Sequence, residues 1–207
     1  MNLENDEFII KDGVLYEYKG KGGKVIIPEG VTRIDNGTFQ EKNIEEVVIP
    51  NTVVEIGNFA FGKNKLSMVI IPESVEVIGD FSFYQNQIKY VLVSEGTKQI
   101  GDYAFYDNKI VQLTLPNTLE EIGSNAFNSN KIKSLIIPSN VKVINPSAFS
   151  INEIDTVIFS ESVESIEKDS FKFNPIKGGL LMGENVKIDN SAFDVKVKQN
   201  IKQINKG

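Results

Sequence analysis

The sequence predicts a β-rich solenoid: a right-handed coil of eight 22-residue repeats, with a parallel β-sheet on its concave face and short helical or 3₁₀ turns on its convex side. Two periodic series of residues support this prediction. Phenylalanine recurs eight times with the same spacing, at residues 39, 61, 83, 105, 127, 149, 171 and 193. Isoleucine recurs in step with it, at residues 34, 56, 78, 100, 122, 144, 166 and 188. A fixed period in the range of about 20–50 residues is typical of stacked repeat architectures.

Each repeat opens with an apolar triplet, which is rich in β-branched residues and therefore favours a strand. Proline follows the triplet in five repeats and ends the strand, because it has no N–H to donate. We expect the triplets to pair side by side in one uninterrupted parallel sheet, with strands at residues 25–27, 47–49, 69–71, 91–93, 113–115, 135–137 and 157–159. Across the joint between repeats, Ile44, Val47 and Ile49 show the L-x-x-L-x-L spacing of a leucine-rich repeat strand.

Six positions in each repeat are expected to face the interior: the first and third of the triplet, the aliphatic residue after the proline, the periodic isoleucine and phenylalanine, and the aliphatic residue before the next triplet. At about 2 kcal/mol for each large apolar side chain, one coil gains about 12 kcal/mol before conformational entropy is subtracted. Asparagine follows the phenylalanine by three residues in six repeats, and we expect these side chains to bond to each other and to turn backbone. The stretch 101–108 carries Asp near its start and predicts one helical or 3₁₀ turn.

Both ends depart from the repeat, as the ends of a solenoid do. Residues 8–18 contain two apolar runs around Asp12-Gly13, which indicates a hairpin. We therefore expect an N-terminal hairpin cap over residues 1–24, a repeat array over residues 25–193, and a C-terminal cap or truncated repeat over residues 194–207, all within one structural domain. The C-terminal segment is expected to add a final strand with Val195, Val197, Ile201 and Ile204.

The composition excludes several classes of function. The chain has no cysteine and no histidine, so it lacks thiolate sites, disulfides and the commonest general base. Its net charge of -6 argues against nucleic acid as a partner. No apolar run is long enough to span a membrane, and residues 1–7 are polar rather than a signal peptide. We expect no enzymatic activity, no cofactor and no insertion into a membrane.

Glutamates at one position of four repeats, Glu29, Glu73, Glu95 and Glu161, suggest an acidic edge. Stacked carboxylates such as those of Glu73 and Glu95 can bind Ca²⁺, which needs about 6–8 oxygen ligands. We interpret this edge as a solvated set of turns, with Ca²⁺ binding left open as the alternative.

The second position of each triplet carries an unexpected pattern. Side chains alternate between the faces of a strand, so this position points outward, where a solvated sheet is polar. Seven of the eight residues there are nevertheless apolar, and we call this series the apolar row: Ile26, Val48, Ile70, Leu92, Thr114, Ile136, Ile158 and Leu180. Met68 and Tyr90 lie two positions before Ile70 and Leu92. An exposed apolar stripe of this extent is typical of an interaction surface, although such residues also simply favour strand formation.

The pattern at 115–132 (LPNTLEEIGSNAFNSNKI) resembles the BspA-like class of leucine-rich repeats, and residues 8–34 look like the usual start of such arrays. The resemblance covers residues 8 to about 193. It implies a bacterial cell-surface or secreted protein of the adhesin type, with no catalytic residues. No export signal or anchor is evident in these residues, so a cytoplasmic location stays open.

Two hypotheses of function follow from the sequence. The first is a module that binds a protein partner, such as a host extracellular protein, or a second copy of the chain. Its predicted contact residues are Val48, Met68, Ile70, Tyr90, Leu92, Thr114, Ile136 and Ile158. The second is a structural spacer in a larger surface protein, with no ligand of its own.

Overall fold

The computed structural model describes residues 7–177, 180–183, 185–198 and 202–203, and shows a β-solenoid of about eight coils with almost no helix. A hairpin precedes the coils. Each coil then contributes a strand at the apolar triplet, which we call a triplet strand, and a two-residue strand that ends at the periodic isoleucine. In chain order, the elements are β1 (Phe8–Lys11), β2 (Val14–Tyr18), β3 (Gly23–Ile26), β4 (Arg33–Ile34), β5 (Ile44–Val48), β6 (Glu55–Ile56), β7 (Met68–Ile71), β8 (Val77–Ile78), β9 (Tyr90–Val93), β10 (Gln99–Ile100), β11 (Gln112–Thr114), β12 (Glu121–Ile122), β13 (Ser134–Ile136), β14 (Val143–Ile144), β15 (Thr156–Ile158), β16 (Ser165–Ile166), β17 (Leu181–Met182), β18 (Lys187–Ile188), α1 (Val195–Lys198) and β19 (Lys202–Gln203).

The triplet strands pair in parallel and in step with the repeat, so that Val69 of β7 lies opposite Val91 of β9. This confirms the predicted solenoid. The sheet is not continuous, however, because the triplet strands of the first seven coils form three separate ladders: β3–β5, β7–β9–β11 and β13–β15. The short strands form the longer ladder, which runs from the antiparallel hairpin through β2, β4, β6, β8, β10 and β12.

Most interior positions predicted from the repeat are buried, and Val47, Leu113, Leu115, Phe159 and Ile188 are partly buried. In the coil that begins at Val69, none of the six predicted core residues is more than 1% exposed: Val69, Ile71, Val75, Ile78, Phe83 and Ile88. The eight periodic phenylalanine rings stack face to face along the solenoid. Their centroids are 4.9–5.5 Å apart and their planes differ by 3–12°. Tyr18 of the hairpin covers the first ring, Phe39, at 5.1 Å.

The six periodic asparagines are buried and bond to backbone, not to each other as we expected. The Nδ2 of Asn108 donates to the carbonyl oxygens of Phe83 and Phe105 at 2.9 and 3.2 Å. Its Oδ1 accepts from the backbone N–H of Ile88 at 3.2 Å. Each asparagine therefore joins its own coil to the preceding one. Backbone groups at the turn bond to both the NH₂ donor and the oxygen acceptor of each amide. The amides therefore bond to backbone rather than to one another.

The stretch from glycine to phenylalanine is a series of tight turns, without the predicted helical or 3₁₀ turn. The N–H of Ala104 donates to the carbonyl of Gly101 at 3.3 Å, and Tyr103 between them has a φ of 56°. A positive φ at the third residue is typical of a type II turn and prevents a helix from continuing. The carboxylate of Asp102, near which the helical turn was expected to start, accepts from the N–H of Ser124 in the next coil at 2.6 Å.

The C-terminal prediction is partly wrong. Val195 and Val197 lie in the short helix α1, not in a strand. Asp194 precedes this helix, its carbonyl accepts from Val197 N–H at 3.0 Å, and Asp is a favoured residue at a helix start. The strand that does follow is β19, which pairs in parallel with β17. Ile201 and Ile204, also predicted in that strand, lie outside the described residues.

Candidate partner-binding face

The structure places seven residues of the apolar row on the solvent side of the triplet strands. In β7 and β9, exposed and buried residues alternate without exception. Thr114 is exposed, and the exposed fractions of the apolar members are 62% for Ile26, 48% for Val48, 52% for Ile70, 43% for Leu92, 66% for Ile136 and 56% for Ile158. Met68 and Tyr90 are also about half exposed. The predicted contact residues therefore share one face.

Leu180 is an exception and corrects the prediction. It is only 3% exposed, and so is Met182 two residues later. The first and third residues of the other triplets are buried or, at Val47, Leu113, Leu115 and Phe159, partly buried, whereas the last coil buries the second residue and the one after the triplet. A slip of one residue turns a strand over, and the sequence has glycine at position 179, where the other repeats have valine or leucine. The apolar row therefore ends at Ile158.

Four members of this face form a compact group. Met68 pairs with Tyr90 and Ile70 pairs with Leu92 across the ladder between β7 and β9. Strands in a ladder are about 4.8 Å apart, so these four side chains are immediate neighbours. We call Met68, Ile70, Tyr90 and Leu92 the apolar cluster. The polar Thr114 and the break between β11 and β13 separate the cluster from Ile136 and Ile158.

A cleft of about 600 Å³ opens beside the apolar cluster, at the break between β5 and β7. No backbone hydrogen bond joins residues 45–48 to residues 67–71, all of which the structure describes. The cause lies one strand earlier. Gly23 of β3 pairs with Ile44 and Lys24 pairs with Glu46, so Glu45 is an extra residue in β5. Such a bulge bends its strand and disrupts the local ladder, which accounts for the separation of β5 from β7.

The walls of this β5–β7 cleft combine apolar and acidic side chains and include no lysine or arginine. Its lining residues are Glu45, Glu46, Val47, Val48, Ile49, Asn51, Ser67, Met68, Ile70, Pro72, Glu73 and Ser94. Glu46 forms an ion pair with Lys24 at 3.0 Å. The structure gives Glu45 and Glu73 no ion pair with a described residue, so the cleft carries uncompensated negative charge.

The repeat pattern alone does not predict this cleft, although the sequence contains a signal for it. At the position where later repeats have Ile44, Leu66 and Ile88 before the triplet, the first repeat has Gly22. The backbone there approaches the neighbouring coil closely, since a Cβ on Gly22 would lie 2.2 Å from the carbonyl oxygen of Lys42. This replacement marks the irregular first coil, and the bulge in β5 follows from it.

The acidic edge, interpreted from the sequence as a set of solvated turns with Ca²⁺ binding as the alternative, has one member, Glu95, with a structural role. The carboxylate of Glu95 accepts from the backbone N–H groups of Asn117 and Thr118 in the next coil, at 3.1 and 3.2 Å. Across the described part of the chain, no three acidic or other metal-binding side chains come together in a way that could hold a metal ion. The same residues contain no helix long and apolar enough to cross a membrane.

Comparison with known proteins shows the family to which the chain belongs. The family described as BspA type leucine-rich repeat region matches the chain in six copies, over residues 9–110 and 76–202. The pneumococcal vaccine antigen PcpA has a similar structure, with a TM-score of 0.51 and 15% identity over 87% of this chain and 70% of that one. At this identity, the likeness concerns the fold.

Two further solved structures have lower TM-scores. A leucine-rich cell surface protein from Faecalibacterium prausnitzii gives 0.36, with 16% identity over 90% of this chain and 83% of that one. A leucine-rich repeat protein from Bacteroides ovatus gives 0.37, with 18% identity over 92% of this chain and 66% of that one. No curated protein matches the sequence.

Proposed function

The chain belongs to the BspA-type leucine-rich repeat family, and on that premise we propose that it is a non-enzymatic module that binds a protein partner through the exposed face of its triplet strands. In keeping with the family resemblance, we propose that the chain is an adhesin-type protein that is either secreted or located at a bacterial cell surface. It also includes the division into a hairpin cap (1–24), a repeat array (25–193) and a C-terminal cap (194–207). The face that binds comprises Val48, Met68, Ile70, Tyr90, Leu92, Thr114, Ile136 and Ile158.

The observation that carries the proposal is the apolar cluster. Met68, Ile70, Tyr90 and Leu92 are each 43–52% exposed, although they lie on strands whose other residues fill the core. Contiguous exposed apolar side chains of this kind mark interaction surfaces, and Tyr and Met are enriched in the buried centre of protein interfaces. The acidic groups beside the cluster supply a polar rim that favours a basic partner and speeds the encounter at low salt.

The test replaces two residues of the cluster that lie opposite each other, in the double variant Ile70→Ser with Leu92→Ser. Neither side chain is in the core, so the free energy of unfolding should change by no more than about 1 kcal/mol. If the two residues are hot spots, binding should weaken by about 2 kcal/mol, which is about thirtyfold. The measurement is binding to purified extracellular proteins, immobilised one at a time, together with sedimentation of the chain itself.

The matched control is Val54→Ser with Val143→Ser, which removes two exposed aliphatic side chains (44% and 38% exposed) that are not on the triplet strands. The control should bind like the unchanged chain. If both double variants bind every partner as before and do not alter self-association, the face is only strand-forming sequence. A structural spacer would then be the better account of the chain.

A further inference from the structure

We propose that the β5–β7 cleft binds one extended segment of the partner protein, in which a lysine or arginine lies next to an apolar side chain. This inference rests on the proposed function and assigns to one part of the binding face the chemistry of its ligand. Three features of the cleft support it: unpaired strand edges, an apolar floor and uncompensated carboxylates.

The strand edges explain why the ligand is extended. β5 is paired with β3 on one side, and β7 is paired with β9 on one side, but the edges that face each other across the cleft share no backbone hydrogen bond. Backbone groups at such edges bond to water or to an added strand. Addition of a strand is a common way to bind a peptide, in which main-chain hydrogen bonds supply affinity and alternate side chains supply specificity.

The floor of the cleft explains the apolar side chain. Val48, Met68 and Ile70 line the opening and are each about half exposed. The volume of about 600 Å³ is within the range of ligand pockets, about 300–1,000 Å³. One aliphatic side chain of an extended segment can therefore be covered by the floor, while the long side chain of a neighbouring lysine or arginine extends to the carboxylates that line the same cleft.

The carboxylates explain the positive charge. Glu45, Glu46 and Glu73 all line the cleft, and only Glu46 has an ion-pair partner, Lys24, among the described residues. A lysine or arginine of the segment would compensate the two remaining carboxylates, and an acidic segment would be repelled. Charge complementarity of this kind selects among partners and raises the association rate, and both effects weaken as salt rises.

The experiment uses three fluorescent octapeptides as probes: alternating lysine and valine, alternating glutamate and valine, and alternating lysine and serine. Binding to the full chain is measured by fluorescence anisotropy at low and at physiological salt. The lysine–valine peptide should bind, and each of the other two should bind at least about tenfold more weakly, because one lacks the charge and the other lacks the apolar side chains. Affinity for the lysine–valine peptide should fall as salt rises.

The decisive variant is Glu45→Gln with Glu73→Gln, which removes two charges from the cleft. Its control is Glu17→Gln with Glu153→Gln, which makes the same change of net charge at exposed glutamates outside the cleft. The first variant should weaken binding of the lysine–valine peptide at least about tenfold, and the control should not. Unchanged circular dichroism and denaturation midpoints show that both variants are folded.

Several results would overturn the proposal: no binding of the lysine–valine peptide, equal binding of the glutamate–valine peptide, or equal weakening by the control. Self-association that disappears in the Glu45→Gln, Glu73→Gln variant, without peptide binding, would overturn it in favour of a second copy as the occupant. If no peptide binds while Ile70→Ser with Leu92→Ser still loses a purified partner, the cleft inference fails and the proposed function stands.

Discussion

Side chains at equivalent positions of the repeat do not all satisfy their polar groups in the same way. The position before each periodic phenylalanine is buried and small, and it holds threonine, alanine or serine. The hydroxyl of Thr38 donates to the carbonyl oxygens of Asp35 and Leu15 at 2.8 and 3.0 Å. The hydroxyls of Ser82 and Ser170 are buried without a hydrogen-bond partner. The other five repeats have alanine at this position, at residues 60, 104, 126, 148 and 192, and alanine needs no hydrogen-bond partner.

Ser82→Ala should therefore raise the free energy of unfolding, by about 1 kcal/mol, because it removes a buried hydroxyl that pays a desolvation cost without forming a bond. Thr38→Ala should lower the free energy of unfolding by about the same amount, since it deletes a satisfied hydroxyl. Denaturant titrations of the two variants give the comparison. Stabilities that shift in the same direction would contradict the assigned hydrogen bonding.

Glycine at position 101 is required by close approach of two coils, not by its backbone angles. A Cβ there would lie 2.4 Å from Oδ1 of Asp80 and 2.7 Å from the backbone nitrogen of the same residue. Gly101→Ala should lower the free energy of unfolding by about 1–3 kcal/mol, as overpacking does. The control is Gly183→Ala, whose Cβ would meet nothing closer than 3.7 Å, and which should be neutral or slightly stabilising. Equal losses in the two thermal or chemical denaturation curves would show that the spacing of coils does not decide the effect.

At the scale of the elements, the phenylalanine ladder makes stability depend on position. The ring of Phe105 is stacked on Phe83 at 5.1 Å and on Phe127 at 5.2 Å. Phe193 stacks on Phe171 at 5.3 Å, with no second stacked ring among the residues the structure describes. Phe105→Ala should cost about 3–5 kcal/mol as a buried aromatic truncation. Phe193→Ala should cost less, because its coil has fewer neighbours. Equal shifts of the denaturant midpoints would argue against a stack of coils.

The sequence predicts the elements where a single repeat decides them. The triplet strands, the six interior positions and the burial of the periodic phenylalanines follow from residue type and spacing within 22 residues. The sequence does not predict what depends on the relation between two coils. The type II turn at Tyr103 needs the backbone angle of one residue, and the asparagine bonds need free carbonyls on two coils. The inward turn of Leu180 depends on how the last coil compensates for a glycine.

The same division applies to the candidate site. Outward placement of Ile70 and Leu92 was predictable, since it follows from alternation along one strand. The β5–β7 cleft was not, because it arises where Glu45 is skipped in the pairing of β3 with β5. A bulge is a mismatch in the pairing of two neighbouring coils, and it does not alter the 22-residue period of the sequence. Only the glycine at position 22 signals that the first coil is irregular.

At the scale of the whole molecule, stability is close to a sum over coils, because each coil contacts only its neighbours. Cross-coil ion pairs follow the same rule, and Lys98 and Glu76 on adjacent coils lie 2.9 Å apart. The chain should therefore accept the loss of one complete coil but not the loss of part of one. A deletion of 22 residues leaves the register of every ladder unchanged, whereas a deletion of part of a repeat shifts it.

Deletion of residues 99–120 tests this prediction, because it joins Lys98 to Glu121 and places β12 where β10 was. The shortened chain should keep a cooperative unfolding transition and a β-type circular dichroism spectrum. The denaturant slope of its unfolding free energy should fall by about one eighth, in proportion to the surface that no longer becomes exposed.

The control deletes residues 99–118, which are two residues fewer. In that variant, Leu119 would follow Lys98, and the phenylalanine and isoleucine ladders would shift by two residues. Buried and exposed side chains would still alternate along the strands, but the turns would no longer align with those of the neighbouring coils. It should unfold at lower denaturant than the first variant, and equal midpoints for the two deletions would show that the coils are not interchangeable units.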